Sequence, residues 1–90
     1  MISVIMSAYN AEKTVRRAAE SILNGSYRDL ELIIADDGSS DQTYKVLQQI
    51  CAEDPRCICF RNNTNKGLAY SLNKCLSRAR GEFIARMDAD

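Results

Sequence analysis

The chain alternates β-type runs with helical segments from end to end, and no other feature limits its possible folds so strongly. The β-type runs are rich in apolar and β-branched residues and lie at residues 2–8, 30–35, 56–61 and 82–87. Between them, apolar residues recur at helical spacing over residues 15–23, 44–51 and 68–79. The order β-α-β-α-β-α-β predicts an α/β fold, in which a parallel four-stranded sheet carries helices on both faces.

Turn-forming residues separate these segments. Asn24-Gly25 stops the first helix, Asp54-Pro55 stops the second, and Gly81 stops the third. Asp41 precedes the second helix and is predicted to be its N-cap. Neither a repeat nor a linker interrupts the pattern, so residues 1–90 are predicted to form a single domain.

Charge and apolar content exclude several classes of function. The chain has 12 Lys and Arg residues against 12 Asp and Glu residues, a net charge of +0, so neither nucleic acid nor an anionic membrane is an expected partner. An apolar fraction of 46% is ordinary for a folded domain. The apolar run at residues 2–8 is too short for a signal segment and no basic residue precedes it, so we expect no secretory or membrane-spanning segment.

The four cysteines are not spaced like a metal or disulfide framework. Cys51, Cys57, Cys59 and Cys75 contain no C-x-x-C pair, and the chain has no histidine to complete a mixed zinc site. A strand would place Cys57 and Cys59 on the same face. We therefore expect all four to be small buried apolar residues in a reducing cytosol.

Polar residues follow the carboxyl end of every predicted strand. In open parallel sheets, ligands bind outside these ends, at the point where the strand order reverses. The polar segments are Tyr9-Asn10, Asp36-Asp37-Gly38, Asn62–Asn65 and Asp88–Asp90. The sequence therefore predicts a ligand-binding edge made of these four segments.

The aspartates could bind a metal ion, or accept hydrogen bonds from a sugar or a base. Asp88 and Asp90 form a D-x-D pair that could offer oxygen ligands to Mg²⁺ or Mn²⁺, with water and phosphate completing the shell. The same spacing also fits a solvated acidic turn. Asp36 and Asp37 could accept hydrogen bonds from a sugar hydroxyl or a base N–H, or could simply form a turn before Asp41.

Two further side chains have the same ambiguity. Tyr9 could stack on a base or pack over the edge of the sheet. Lys66, with Asn62 and Asn65, could contact phosphate near a helix N-terminus, or the asparagines could only form a turn.

Three nucleotide- or phosphate-binding folds are excluded by position. A dinucleotide-binding Rossmann domain and a P-loop both need a glycine-rich turn after the first strand, and residues 6–12 contain no glycine. A response-regulator receiver would carry its acidic pair after the first strand, whereas Asp36 and Asp37 follow the second.

Taken together, the motifs resemble the N-terminal half of family 2 glycosyltransferases, which have the GT-A fold. They occur in the family's order and at its spacing over almost the whole chain. The matching segments are Val4-Ile-Met-Ser-Ala-Tyr-Asn10, Ser21-Ile-Leu23, Leu32-Ile-Ile-Ala-Asp-Asp-Gly-Ser-Ser-Asp-Gln-Thr43, Asn65-Lys-Gly67, Ala79-Arg-Gly-Glu-Phe-Ile84 and Met87-Asp-Ala-Asp90. The resemblance implies the Rossmann-like half of the GT-A fold.

The resemblance also implies a nucleotide-sugar site. Ser7 and Tyr9 match residues that flank the base, and Asp37 matches an aspartate that accepts a hydrogen bond from it, supported by Asp36. Asp88 and Asp90 match residues that face the ribose and the Mg²⁺ or Mn²⁺ ion on the diphosphate, with Asp90 favoured as the direct ligand. Lys66 is included as a nucleotide-binding candidate. The implied donor is a nucleoside-diphosphate sugar, with UDP-sugar favoured.

The chain stops where the family continues. Family members carry an acceptor-binding half after D-x-D, and that half supplies the catalytic base. We therefore expect residues 1–90 to be the donor-binding part of a truncated inverting glycosyltransferase, able to bind nucleotide but not to transfer sugar alone. The implied setting is cytoplasmic bacterial polysaccharide synthesis, near the inner membrane face in the longer protein, with a glycan or lipid-linked acceptor.

Two alternatives to this prediction stay open. The chain could be a catalytically inert nucleotide-binding module, dimeric through the surface that the rest of the protein would cover. It could also be a nucleotidyltransferase-like domain, although the glycine-rich basic loop usual after the first strand of such enzymes is missing.

Overall fold

The computed structural model describes residues 1–89, which form four strands and three helices. Strands β1 to β4 span Ile2–Ala8, Leu30–Asp36, Cys57–Arg61 and Phe83–Asp88, and helices α1 to α3 span Val15–Leu23, Thr43–Glu53 and Leu68–Arg78. All strand pairs are parallel, in the order β3-β2-β1-β4. The predicted α/β fold is confirmed, and each strand begins and ends within one residue of its predicted limits. Within the described residues, no helix has the length and apolar character to cross a membrane.

The sheet is covered on both faces because successive strand residues point to opposite sides. One face packs against α1 and α2, where Met6 and Leu47 are fully buried. The opposite face packs against α3, where Ile5 and Ile33 contact Cys75. Strand β2 lies between β1 and β3 and is buried along its whole length, as its nearly continuous apolar sequence predicts.

Strand β4 is the exception to this burial. It pairs with β1, yet the side chains of Phe83, Ile84 and Met87 are 67%, 46% and 44% exposed. Its apolar sequence resembles a buried strand, but β4 is an edge strand of the sheet and these three side chains stay open to solvent. The exposed edge and apolar side chains make β4 a surface suited to further packing.

Two of the sequence-based predictions need correction. Cys57 and Cys75 are buried as expected, but Cys51 and Cys59 are only half-buried. Helix α2 has Gln42 rather than Asp41 at its N-cap position. Asp41 lies one residue earlier and still accepts a hydrogen bond from the Thr43 N–H, at 2.9 Å, because its side chain reaches past the cap.

A buried carboxylate closes the amino end of the sheet. Glu31, only 4% exposed, lies opposite Ser3 in the β1–β2 register and accepts a hydrogen bond from the Ser3 hydroxyl. It also accepts from the Arg80 N–H at 2.7 Å and from Arg80 Nε at 3.2 Å. The Gly81 N–H donates to Ser3 Oγ at 2.7 Å. This network fastens the turn between α3 and β4 to the two central strands.

The Glu31 network predicts a pH-dependent stability. Burial alone would raise the pKa of Glu31, but hydrogen bonds from Arg80 and Ser3 outweigh it and hold the pKa below its usual value. The ionised carboxylate therefore contributes stability above the pKa of the unfolded chain, about 4.3, and that contribution is lost as the pH falls through the lower folded pKa. We expect Glu31→Gln to lower the free energy of unfolding by about 1–3 kcal/mol at pH 7.

Urea unfolding at pH 7 and pH 3.5 measures this effect. The difference in the free energy of unfolding between Glu31→Gln and the parent chain should shrink at the lower pH, because neutral glutamine resembles the protonated acid. The conservative control is Glu82→Gln, whose side chain is 81% exposed and whose effect should be small at both pH values. A difference that stays constant with pH would contradict the assignment to the Glu31 carboxylate.

Candidate functional site

A cleft opens at the carboxyl ends of β1 and β4. Its volume is about 440 Å³. The chain leaves β1 towards β2 on one side of the sheet, while β4 lies on the other side of β1, so the cleft lies where the strand order reverses. Its walls are formed by Ser7, Tyr9, Asn10, Ala11, Thr14, Leu68, Arg86, Asp88 and Ala89.

The floor of the cleft comes from two paired strands. Ser7 at the end of β1 lies opposite Asp88 at the end of β4 in the parallel register. The Asp88 side chain is 74% exposed, and its Oδ1 lies 3.7 Å from Arg86 Nη2. The carboxylate therefore keeps most of its coordination capacity, and a guanidinium lies beside it.

The loop after β1 forms one wall and is fixed by the acidic turn after β2. Asn10 has a positive φ of 48°, and its N–H donates to Ser39 Oγ at 2.8 Å. Asn10 Oδ1 accepts from the Ser40 N–H at 2.9 Å. Tyr9 is 50% exposed and lines the cleft.

Asp37 is buried behind the cleft and does not line it. Its Oδ1 accepts from Asn62 Nδ2 at 3.0 Å and from the Lys66 N–H at 2.7 Å, and its Oδ2 accepts from the Gly67 N–H at 3.0 Å. Burial would raise the pKa of Asp37, but these hydrogen bonds outweigh it and lower the pKa. The carboxylate fixes the turn that leads into α3, and the Ser71 side chain adds a further hydrogen bond to it.

Asp36 is also internal. It is fully buried, and its Oδ1 accepts from the Ser39 N–H at 3.2 Å and from the Ser39 hydroxyl. Its Oδ2 lies 3.5 Å from Arg61 Nε, an ion-pair distance. Asp36 thus shapes the acidic turn, residues 36–41, and this turn holds Asn10 through Ser39 and Ser40.

The structure brings together three of the predicted site residues. Ser7, Tyr9 and Asp88 line one cleft. Lys66 lines a neighbouring cleft of about 320 Å³ at the end of β3, where its Nζ lies 5.9 Å from the centre of the Tyr70 ring. Asp36 and Asp37 support the loops behind these clefts, and Asp90 lies outside the described residues.

Several residues at the cleft escaped the sequence analysis. Arg86, Thr14 and Leu68 line it. Arg86 had a detectable signal, because it lies two residues before Asp88 in the same strand and so points to the same face. Thr14 and Leu68 had no such signal, since they reach the cleft from loop and helix termini that only the tertiary fold brings together.

The side chains at this edge of the sheet can be compared with the ligands that a divalent cation would need. Mg²⁺ or Mn²⁺ needs only one or two protein carboxylates when phosphate and water supply the other ligands. Asp88 meets this requirement as one exposed carboxylate at the cleft. Within residues 1–89, no group of three or more potential ligands is assembled, so the protein would supply a minority of the ligand shell.

Comparison with known proteins identifies the family. The sequence profile described as "Glycosyl transferase family 2" matches residues 3–90. The chain belongs to glycosyltransferase family 2. The resemblance found in the sequence is thereby confirmed, and the cleft at the β1–β4 switch point lies in the part of the chain that the family profile covers.

Curated relatives in family 2 are much longer than this chain. EpsE of Bacillus subtilis (strain 168) is 49% identical over 90 residues, which cover 99% of this chain and 32% of EpsE. The Escherichia coli protein WfaP, described as a UDP-Glc:alpha-D-GlcNAc-diphosphoundecaprenol beta-1,3-glucosyltransferase, is 40% identical over 100% of this chain and 35% of its own length. The chain therefore spans about a third of these relatives.

Solved structures agree with the family fold. The mannosyltransferase PcManGT from Pyrobaculum calidifontis, in complex with GDP-Man and Mn²⁺, has a TM-score of 0.91 and 28% identity over 99% of this chain and 27% of that one. S. aureus TarS 1–349 in complex with UDP has a TM-score of 0.89 and 28% identity, again over 99% of this chain and 27% of that one. The sheet and helices of this family 2 chain thus have the GT-A arrangement.

Proposed function

We propose that residues 1–90 are the donor-binding part of an inverting glycosyltransferase that transfers sugar from a nucleoside-diphosphate sugar to an acceptor hydroxyl. The observation that carries this proposal is the cleft at the β1–β4 switch point, where Ser7, Tyr9 and Asp88 meet. A UDP-sugar is the favoured donor, because WfaP is named for UDP-Glc and TarS has been solved with UDP and with UDP-GlcNAc.

The proposed roles follow from the positions of the side chains. The half-exposed Tyr9 ring offers a stacking surface for the base, and Ser7 offers a hydroxyl beside it. Arg86 contributes a cation for the diphosphate, next to Asp88. We also propose that Asp37 accepts a hydrogen bond from the base and that Lys66 contacts the nucleotide from the neighbouring cleft.

We propose that Asp88, together with Asp90, holds Mg²⁺ or Mn²⁺ on the donor diphosphate. The exposed Asp88 carboxylate supports this role, as does the Mn²⁺ bound in PcManGT. When bound, the ion would neutralise charge that develops on the departing nucleoside diphosphate.

The acceptor and the catalytic base are proposed to come from other parts of a longer protein. Asp88 is the only carboxylate among the described residues that line the cleft, and its proposed role is in metal binding. Residues 1–90 alone should therefore bind donor without transferring sugar. By analogy with WfaP, the longer protein would act on a glycan or lipid-linked acceptor in bacterial polysaccharide synthesis. We further propose that it does so at the cytoplasmic face of the inner membrane.

A homodimer of the isolated chain is a second proposal, favoured by one observation. The apolar side chains of Phe83 and Ile84 are exposed on an unshielded strand, where a second copy could pack. Light scattering across a concentration series measures this association, and a constant monomer mass would reject it.

A thermal-shift panel tests donor binding. The chain is heated with UDP, GDP, CMP or dTDP, each with and without Mn²⁺. A ligand present at about one hundred times its Kd should stabilise the fold by roughly 2.7 kcal/mol, which raises the Tm of a domain this small by about 10–20 °C. We expect the largest shift with UDP and Mn²⁺.

Asp88→Asn separates metal binding from nucleotide binding. The variant should lose the Mn²⁺-dependent part of the shift, because an amide is a neutral and weaker ligand than a carboxylate. The matched control is Asp29→Asn, whose carboxylate is 72% exposed at the opposite end of the sheet and should leave the shift unchanged. An undiminished Mn²⁺-dependent shift in Asp88→Asn would remove Asp88 from the proposed metal site.

A further inference from the structure

Three cysteine thiols meet between α2 and β3, at the edge of the sheet remote from the donor cleft. The Cys51 thiol in α2 donates to Cys57 Sγ in β3 at a sulfur–sulfur distance of 3.0 Å. Cys51 also contacts the thiol of Cys59, which lies on the same face of β3 as Cys57. Cys75 lies elsewhere, in α3, where its thiol is 3.6 and 3.7 Å from backbone carbonyl oxygens.

Metal binding does not account for this cluster. Within residues 1–89, no cysteines, aspartates or glutamates form a set of three or more with ligating geometry. What the cluster does provide is a pair of sulfur atoms already in contact, one of them on a half-buried residue that solvent reaches. A disulfide requires backbones placed so that the two sulfur atoms can reach bonding distance, and those of Cys51 and Cys57 bring the sulfurs to 3.0 Å.

We propose that Cys51 and Cys57 are a thiol-modification site that closes to an intramolecular disulfide on exchange with a low-molecular-weight disulfide. Cys51, the more exposed of the two, loses its proton and attacks the oxidant, which releases one thiol and leaves a mixed disulfide on Cys51. Cys57, 3% exposed, then attacks the Cys51 sulfur and releases the second thiol. The balance is two protein thiols and one small disulfide giving one protein disulfide and two small thiols.

The environment of the cluster makes this exchange slow. The hydrogen bond with Cys57 raises the pKa of Cys51 to about 12, so the unreactive thiol form predominates at neutral pH. The expected partner of Cys51 is Cys57, because their sulfur atoms are already 3.0 Å apart. The site should therefore stay reduced in a reducing compartment and close only under sustained oxidation.

The disulfide would act on stability and leave the donor cleft intact. It would close the short turn from α2 to β3, which Arg56 already ties to Asp54 at 2.8 Å and to the Leu23 carbonyl at 2.7 Å. Cys57 pairs with Leu32 near the start of β2, whereas the cleft lies at the carboxyl ends of β1 and β4. Oxidation should thus hold β3 against α2 without moving Ser7 or Asp88.

Thiol counting after incubation with oxidised glutathione tests the proposal. Of the four thiols in the chain, two should disappear over hours, and peptide mapping should find Cys51 linked to Cys57 within one chain. The Tm of the oxidised chain should exceed that of the reduced chain by roughly 5–10 °C. Retention of all four thiols, a persistent glutathione adduct on Cys51, or a bond to Cys59, to Cys75 or between chains would overturn it.

Two variants keep the test specific. Cys51→Ser should retain all three remaining thiols and show no rise in Tm on oxidation. Cys59→Ala should still lose two thiols, because the proposed pair is intact. Loss of two thiols in Cys51→Ser, or protection of all three in Cys59→Ala, would also overturn the assignment.

Discussion

Replacing Gly38 with alanine is expected to destabilise the domain by several kcal/mol. Gly38 has a φ of +72°, a conformation that side chains with a Cβ rarely adopt. An added Cβ would lie 2.5 Å from the Thr64 carbonyl carbon and 2.7 Å from the Asn65 nitrogen. Both contacts are with backbone, so the acidic turn and the turn before α3 would have to separate.

Two other glycines calibrate this prediction. Gly67 has a φ of +97°, but a Cβ added there would meet no atom within 4 Å, so Gly67→Ala measures backbone strain alone, about 1–3 kcal/mol. A Cβ added at Gly25 would make only ordinary contacts of 3.4 and 3.5 Å, so Gly25→Ala should leave the free energy of unfolding nearly unchanged. Urea unfolding should rank the losses as Gly38 above Gly67 above Gly25. A Gly38→Ala loss no larger than that of Gly67→Ala would mean that the two turns separate at little cost.

The architecture is predictable because it depends on local patterns. The continuous apolar run that begins at Leu30 predicts a fully buried central strand, and the strand is buried throughout. The β-α-β alternation and right-handed crossovers then leave few topologies to consider. These rules place Ser7 and Asp88 at one edge of the sheet, and the observed register sets them side by side.

Which polar side chains face the cleft could not be predicted, because that depends on contacts between distant segments. Asp36 and Asp37 follow their strand just as Asp88 follows its own, yet both are buried and Asp88 is exposed. Asp37 is held by donors 25 and 29 residues away in the chain, Asn62 and Lys66. Asp36 accepts from the nearby Ser39 and lies at ion-pair distance from Arg61 on the neighbouring strand. No spacing rule gives the positions of such donors.

The same limitation applies to Glu31 and Cys51. Glu31 interrupts an apolar run and carries no motif that indicates a role, although it accepts hydrogen bonds from Ser3 and Arg80 across the fold. Motif spacing alone does not pair Cys51 with Cys57. Their thiols meet because the turn after α2 returns the chain antiparallel to the helix, which brings the end of one element beside the start of the next.

Asp37→Ala is expected to have the second large effect, because it removes one acceptor from three donors at once. Asn62 Nδ2 and the N–H groups of Lys66 and Gly67 would lose their common partner in a site that is 4% exposed. An unsatisfied buried donor costs about 1–3 kcal/mol. We expect a loss of roughly 3–5 kcal/mol, a large part of the roughly 5–10 kcal/mol available to a domain of this size.

A control in the same turn separates this effect from a general loss of negative charge. Asp41→Ala removes an aspartate that accepts mainly from Thr43, so its cost should be about 1 kcal/mol. Hydrogen exchange adds a local readout: the amide protons of Lys66 and Gly67 should lose protection in Asp37→Ala and keep it in Asp41→Ala. If both variants lost the same free energy of unfolding and both amides stayed protected, water would have replaced Asp37 as the hydrogen-bond acceptor. The turn before α3 would then hold its shape without that carboxylate.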